Sequence, residues 1–215
     1  MLNMQQHPSA IARLRSQLAA GHIANLSDFW RDAESLNVPL VTPVDGAKDE
    51  RDVTFLWRAR HPLQGVYLRL NRVTDKEHVA KGMMTALPAT DIWTLTLRLP
   101  ASYCGSYSLV EIPPGTPAET IAQSGGRFAT LVGHADPLNK TPGINVRGST
   151  QESVLALDKA PAQSEWRGGS PSGQLLTSAR TLAGESRRVR LYLPDVDVSQ
   201  PLGLVVLPDG ETWFD

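Results

Sequence analysis

From Val53 onward the hydrophobic period of this chain changes from helical to two, and that change limits what it can build. Val53, Phe55, Trp57 and Ala59 alternate with Thr54, Leu56, Arg58 and Arg60, the pattern of a strand with one apolar face. His61-Pro62-Leu63-Gln64-Gly65 reads as a turn, after which Val66, Leu68 and Leu70 alternate with Tyr67 and Arg69. A strand over 92–99 turns Trp93, Leu95, Leu97 and Leu99 inward and Thr94, Thr96 and Arg98 outward; others cover 107–112 and 153–158. Each such segment hides only one face and needs partners of the same kind. A mainly β fold is predicted, an antiparallel β-sandwich of immunoglobulin type over residues 46–160. Cys104 is the single cysteine, so the disulfide of antibody domains is excluded and only the architecture is implied.

The flanking segments differ. Ile11, Leu14 and Leu18 have helical spacing over 8–20, with Pro8 near the first turn and Gly21 past the end. Ser27 reads as the N-cap of a second helix carrying Phe29, Trp30, Ala33 and Leu36, ended by Asn37 and Pro39. Residues 1–45 therefore read as a helical segment laid against the sandwich. Thr116-Pro117-Ala118-Glu119 fits a capping box that opens a short helix through Gln123. Asp136-Pro137-Leu138-Asn139 is a turn whose Asp and Asn side chains can bond their own backbone.

Residues 161–173, rich in Pro and Gly, read as a linker. Beyond it 174–182 and 187–193 flank Ala183-Gly184-Glu185-Ser186 as a β-hairpin with Val189, Leu191 and Leu193 on one face. Leu202 to Leu207 is an unbroken apolar run, opened by Pro201 and closed by Pro208-Asp209-Gly210. It reads as a strand buried on both faces, which requires neighbours on either side. Asp215 follows Leu207 by eight residues, so the expectation is the front part of a larger fold.

Composition excludes more than it indicates. A net charge of −1 gives no global argument for nucleic acid or an acidic membrane surface, and none is expected as a partner. Arg13 and Arg15 interrupt the Ile11–Ala20 segment, which removes the apolar core of a secretory signal. A cytoplasmic location is the default expectation. His7, His22, His61, His78 and His134 are scattered without ligand or triad spacing, so no metal site is expected.

Several pieces then occur in a meaningful order: Phe55-Leu56-Trp57-Arg58-Ala59-Arg60-His61-Pro62, Asp91-Ile92-Trp93, Cys104-Gly105-Ser106-Tyr107-Ser108 and Asp136-Pro137-Leu138-Asn139. Arg187-Arg188-Val189 and Leu207-Pro208-Asp209-Gly210-Glu211-Thr212-Trp213 follow. This series resembles the enterochelin (enterobactin) esterases, across residues 25–215. The resemblance implies an immunoglobulin-like domain followed by an α/β-hydrolase domain whose Ser-His-Asp-type triad cuts the trilactone of ferric enterobactin in the cytoplasm. Residues 174–215 would then be the first three strands of a truncated hydrolase sheet. No cofactor is implied, since iron arrives inside the siderophore.

The resemblance places nucleophile, acid and histidine after the strand of 202–207. A nucleophile elbow reads G-x-S-x-G, and no such pentapeptide occurs in the chain. It is expected to be inactive alone. Asp209–Trp213 would be the loop that lends one backbone N–H to an oxyanion hole, with Gly210 making the turn and Glu211 donating. Without the resemblance, Asp209-Gly210 is simply a turn. Ferric enterobactin is polyanionic with catecholate rings, and Trp57, Arg58, Arg60, Trp166 and Arg167 combine charge with aromatic faces. Arg58 is equally explained by a polar strand face.

Two further readings stand beside this one. The chain can be a stand-alone binding module for a siderophore or carbohydrate, or a truncated reading frame. As part of an esterase, its partners would be a catecholate siderophore and either the rest of the hydrolase domain or another chain at the open sheet edge. Residues 174–207 would form at most a three-stranded sheet with apolar faces exposed. Hydrogen exchange is expected to find the amides of Leu204–Val206 far less protected than those of Phe55–Trp57; equal protection in a monomer would contradict this.

Overall fold

The structure, a computed structural model, describes residues 8–126, 129–146, 150–162, 172–197, 199 and 201–208. The chain divides into two units, Met1–Pro161 and Ala162–Asp215. In the first, helix α1 (Pro8–Ala20) ends at Gly21, whose φ of +65° suits a residue without a Cβ. Helix α2 (Leu26–Ser35) starts two residues earlier than a Ser27 cap would allow. The Asn25 side chain accepts the N–H of Asp28 at 3.1 Å and is the cap, which places Ser27 inside the first turn.

The strands follow in chain order: β1 (Leu40–Val44), β2 (Ala47–Arg58), β3 (Gly65–Leu70), β4 (Thr85–Ala86), β5 (Ile92–Pro100), β6 (Cys104–Ile112), β7 (Gly133–His134), β8 (Ile144–Val146) and β9 (Thr150–Ala156). Short helices α3 (Val79–Gly82) and α4 (Ala118–Gln123) lie among them. Every pairing is antiparallel among the described residues. One sheet has the order β1-β2-β5-β4; the other runs β3-β6-β9-β8, with β7 also on β6. The mainly β, antiparallel architecture expected from the alternation is present.

The two sheets close on a common core. Val53 and Phe55 of β2 with Leu97 and Leu99 of β5 meet Val66, Leu68 and Leu70 of β3 and Tyr107 and Leu109 of β6. Phe55 and Tyr107 touch edge to face, their centroids 5.2 Å apart at 76°. These inward residues are the ones the period-two pattern marked.

The supposed polar faces are another matter. Leu56 points away from the shared core yet is fully buried, packed with Ile11 and Leu14 of α1 and Phe29, Trp30 and Ala33 of α2. The apolar stripes of two amphipathic helices cover Leu56 of β2 and Ile92 at the start of β5, so residues 53–56 of β2 are buried on both sides. Tyr67, also placed outward by alternation, is buried against Val79, Val110 and Ile112, with Ile121 of α4 beside them. The Thr116 capping box is not formed. Thr116 Oγ1 donates to the Pro113 carbonyl, and the Thr116 N–H goes to Gln64 Oε1 across the turn between β2 and β3.

In the second unit, β10 (Gln174–Leu182) and β11 (Glu185–Leu193) pair along their whole length. The connection is Ala183-Gly184 alone, with φ of +51° and +81°, because positive φ at both positions matches the right-handed twist of the strands. Glu185 and Ser186 therefore belong to the ladder, opposite Leu182 and Thr181. Val189, Leu191 and Leu193 share a face, as the alternation requires, and that face is exposed within this unit.

The buried strand expected at Leu202–Leu207 is not found: Pro201–Leu207 carries no strand, and Leu204 is 81% exposed. A strand exists only where its N–H and C=O groups find partners. Among the described residues no ladder reaches this run.

Leu56 separates the two pictures of β2. Leu56→Ala is expected to destabilise the first unit by about 2–5 kcal/mol in urea unfolding, the cost of a core cavity. A solvent-facing leucine would change stability by no more than about 0.5 kcal/mol.

Candidate functional site

The inward rows of β2 and β6 leave the core at the same end of the two sheets, where they become polar. After Val53 and Phe55 comes Trp57; after Tyr107 and Leu109 comes Glu111. Glu111 holds this end together. Its Oε1 accepts the Trp57 indole N–H at 2.9 Å, and its Oε2 lies 3.1 Å from His61 Nε2. His134, opposite Leu109 on the β6–β7 ladder, lays its ring on Trp57 with centroids 6.4 Å apart and planes at 24°. The turn that carries His61 is tied down by Gln64, whose side chain both accepts from and donates to the backbone of Thr116.

On the outer face of the same strand end, Arg58 meets Asp91. Its Nε donates to Asp91 Oδ2 at 2.8 Å, while Oδ1 accepts the Trp30 indole N–H at 2.8 Å. The Arg58 guanidinium also sits over the Trp30 ring, 5.2 Å from its centroid. One carboxylate thus joins helix α2, strand β2 and the start of β5. The backbone N–H of Ala59 reaches the Asp91 carbonyl at 2.8 Å.

A third carboxylate lies deeper. Asp136 is 4% exposed. Its Oδ2 accepts the Tyr107 hydroxyl at 2.8 Å, and its Oδ1 accepts the Leu138 N–H at 2.9 Å. Its own N–H donates to Ser153 Oγ, and Asn139 Nδ2 donates both to Tyr107 Oη and to the Val154 carbonyl. Burial pushes the Asp136 carboxyl up to about 6, against the pull of its hydrogen-bond donors. Burial likewise raises the Tyr107 phenol, helped by the neighbouring carboxylate.

The residues read as substrate contacts fall into three groups. Trp57 and Arg58 stand back to back at one strand end, half-buried, their N–H groups donating to Glu111 and Asp91. Arg60 is exposed and has no partner among the described residues. Trp166, Arg167, Gly210 and Glu211 lie outside the described residues. The self-bonding turn at Asp136–Asn139 is present: Asn139 Oδ1 accepts from Thr141 N–H at 2.8 Å as Asp136 accepts from Leu138. Sequence reasoning did not find the roles of Glu111, His134 and Asp91, or the Tyr107 partner of Asp136, whose contacts span 25 to 77 residues of chain.

Chemically this end offers an indole edge, two imidazoles and an exposed guanidinium, with Asp91 paired to Arg58 and Glu111 hydrogen-bonded to Trp57 and His61. Such a rim suits an anionic aromatic ligand better than a cation. Among the described residues no three His, Cys, Asp or Glu side chains cluster as a metal-ligand set, and no helix is long and apolar enough to cross a membrane.

Apart from Trp30, the residues making these contacts lie in the segment that comparison with known proteins marks. The model of the enterochelin esterase N-terminal family matches residues 52–166, more than half of the chain. The chain belongs to the enterochelin esterase family. Over all 215 residues it is 84% identical to the iron(III) salmochelin esterase of Escherichia coli O6:H1, covering 53% of that protein. It is 27% identical to the iron(III) enterobactin esterase of Yersinia enterocolitica, over 97% of this chain and 64% of the relative. Among solved structures, ferric enterobactin esterase from Salmonella typhimurium superposes with a TM-score of 0.51 at 26% identity, over 76% of this chain and 45% of that one. The chain spans about half the length of the curated relatives it matches.

Within this family segment, Asp91→Ala is expected to cost about 1–3 kcal/mol, because the buried Trp30 N–H and the Arg58 guanidinium both lose their acceptor. Urea unfolding followed by tryptophan fluorescence measures it, and Asp91→Asn, which keeps an acceptor oxygen, should cost less.

Proposed function

We propose that this chain is the N-terminal part of a siderophore esterase that hydrolyses the trilactone esters of ferric enterobactin, or a related catecholate siderophore, to release iron in the cytoplasm. The observation that carries the proposal is the 84% identity to an iron(III) salmochelin esterase along the whole of this chain. On this reading residues 46–160 are an immunoglobulin-like sandwich, 161–173 a linker, and 174–215 the opening of an α/β-hydrolase domain, with Gly210 and Glu211 at its oxyanion loop. On the same reading the triad would lie in the part of the relatives that this chain does not span, and these 215 residues would be inactive alone. Iron enters only as the substrate's cargo.

The role assigned to the first unit is to face the siderophore with the rim around Trp57. Arg60, with its free guanidinium, supplies charge to the anionic chelate, and His61, His134 and the Trp57 edge supply the aromatic surface. The contribution of Arg60 is modest, since an exposed charge pair is worth about 0.2–1 kcal/mol. A stand-alone siderophore-binding module would use the same rim, so binding and turnover must be measured separately.

The test compares this chain with a full-length relative on ferric enterobactin. Saturable quenching of tryptophan fluorescence without ester hydrolysis is expected from the 215 residues, and hydrolysis from the relative. Arg60→Ala should weaken binding about two- to fivefold. Turnover by this chain would overturn its assignment as the non-catalytic part; no quenching at any siderophore concentration would remove the rim from the binding surface.

A further inference from the structure

The DPLN turn does more than close a loop. Residues 134–141 run as a strap between the core and the helices. At one end Asp136 and Asn139 hold Tyr107 of β6 and the Ser153–Val154 stretch of β9. At the other, the Leu138 side chain packs into the cluster formed with α1 and α2, and its carbonyl accepts the Val38 N–H at 3.4 Å. Lys140 adds two bonds, from its N–H to Asn37 Oδ1 and from Nζ to the Ser35 carbonyl, both 3.0 Å. The strap therefore adds a second tie to the chain leaving α2, which is itself packed at Leu36 and Val38 and paired with β2 from Leu40.

Its inner anchor is a buried carboxyl without a counter-ion. Tyr107 is the titratable group that β6 presents to Asp136; β9 presents the Ser153 hydroxyl, and the strap itself presents the Leu138 N–H and, through Tyr107, the Asn139 amide. Lys140 turns to the Ser35 carbonyl, His134 stacks on Trp57, and no cation acts on Asp136. Ionising such a group while it stays buried is costly, whereas opening the strap returns it to water. Two donors partly offset that cost.

We propose that residues 134–141 are a proton-operated strap: ionisation of Asp136 loosens the tie between Tyr107 in the core and the chain that leaves α2. The folded-state carboxyl titrates near 6 against an ordinary 3.8. The stability it contributes is full below about pH 4 and is lost as the pH rises through about 6. The difference of about two units sets a ceiling of roughly 100-fold on the change in strap opening. The strap meets the chain at Ser35–Val38, so the effect of this proton is expected at the C-terminal end of α2.

Native-state hydrogen exchange at the Val38, Leu138 and Lys140 amides tests this, with intrinsic rates divided out. Protection in the wild-type chain should fall about tenfold to 30-fold between pH 4.5 and 7.5, while Asp136→Asn should show no such fall. A wild-type protection that stays constant, or the same fall in Asp136→Asn, would overturn the proposal. Should the variant not fold, carbon-detected titration of the Asp136 carboxyl in the wild-type chain decides. A midpoint near 6 supports the strap, and one at or below about 4 removes it.

Discussion

Residues 53–56 of strand β2 are buried on both faces, and the first unit depends on that. Val53 and Phe55 give one side of it to the core between the sheets; Thr54 and Leu56 give the other to the layer under α1 and α2. A strand in this position has no face left for water, so both layers must be in place before either is dry. The edge-to-face contact of Phe55 with Tyr107 fixes the approach of the two sheets. Burial of Leu56 by Leu14, Phe29 and Trp30 fixes the helices. Since a single leucine is worth about 1.5–3 kcal/mol when fully buried, a strand that loses one of its two covers loses a large share of a marginal stability.

Three carboxylates tie these layers where apolar packing ends. Asp91 receives donors from Trp30 and Arg58, Glu111 from Trp57 with His61 at its second oxygen, and Asp136 from Tyr107 and the Leu138 backbone. In each case the carboxylate bonds an element distant in sequence from its own, which places the two at a defined separation. Much of the family signature is accounted for in this way. The aromatic and basic residues of FLWRARHP and the acidic residue of DIW form the joints of the architecture, and DPLN forms the strap. At the rim around Trp57, Arg60 and the rings of His61 and His134 are the exposed groups. Asp136 differs from the other two in having no cation to balance it, which is why its protonation matters to the joint it makes.

The strands were legible because period-two alternation is a local property: Val53, Phe55, Leu97, Leu99, Val66, Leu68 and Leu70 all face the core that the pattern assigned to them. Helix α1 and the β10–β11 hairpin were legible for the same reason, from Pro8, Gly21 and the Ala183-Gly184 turn. What alternation could not show was that the second face of a strand is also covered. Leu56 and Tyr67 look like residues on a wet face until helices supplied by chain tens of residues away are laid over them. The run at Leu202–Leu207 failed in the opposite direction. Its apolar composition names a buried environment, but a strand is made by its neighbours, and none pairs with it among the described residues.

By itself, then, the amino-acid sequence determined where the longer strands of the first unit and the hairpin of the second run, which side of most of them is apolar, and the order of motifs that points to a family. Those follow from backbone preference and side-chain period, which act over a few residues. The tertiary structure alone decided that Trp57 leans on Glu111 and His134, that Arg58 and Trp30 share Asp91, and that a buried Asp136 carries the strap to α2. Hydrogen bonds and burial depend on distances between atoms that the chain brings together only when both sheets have closed.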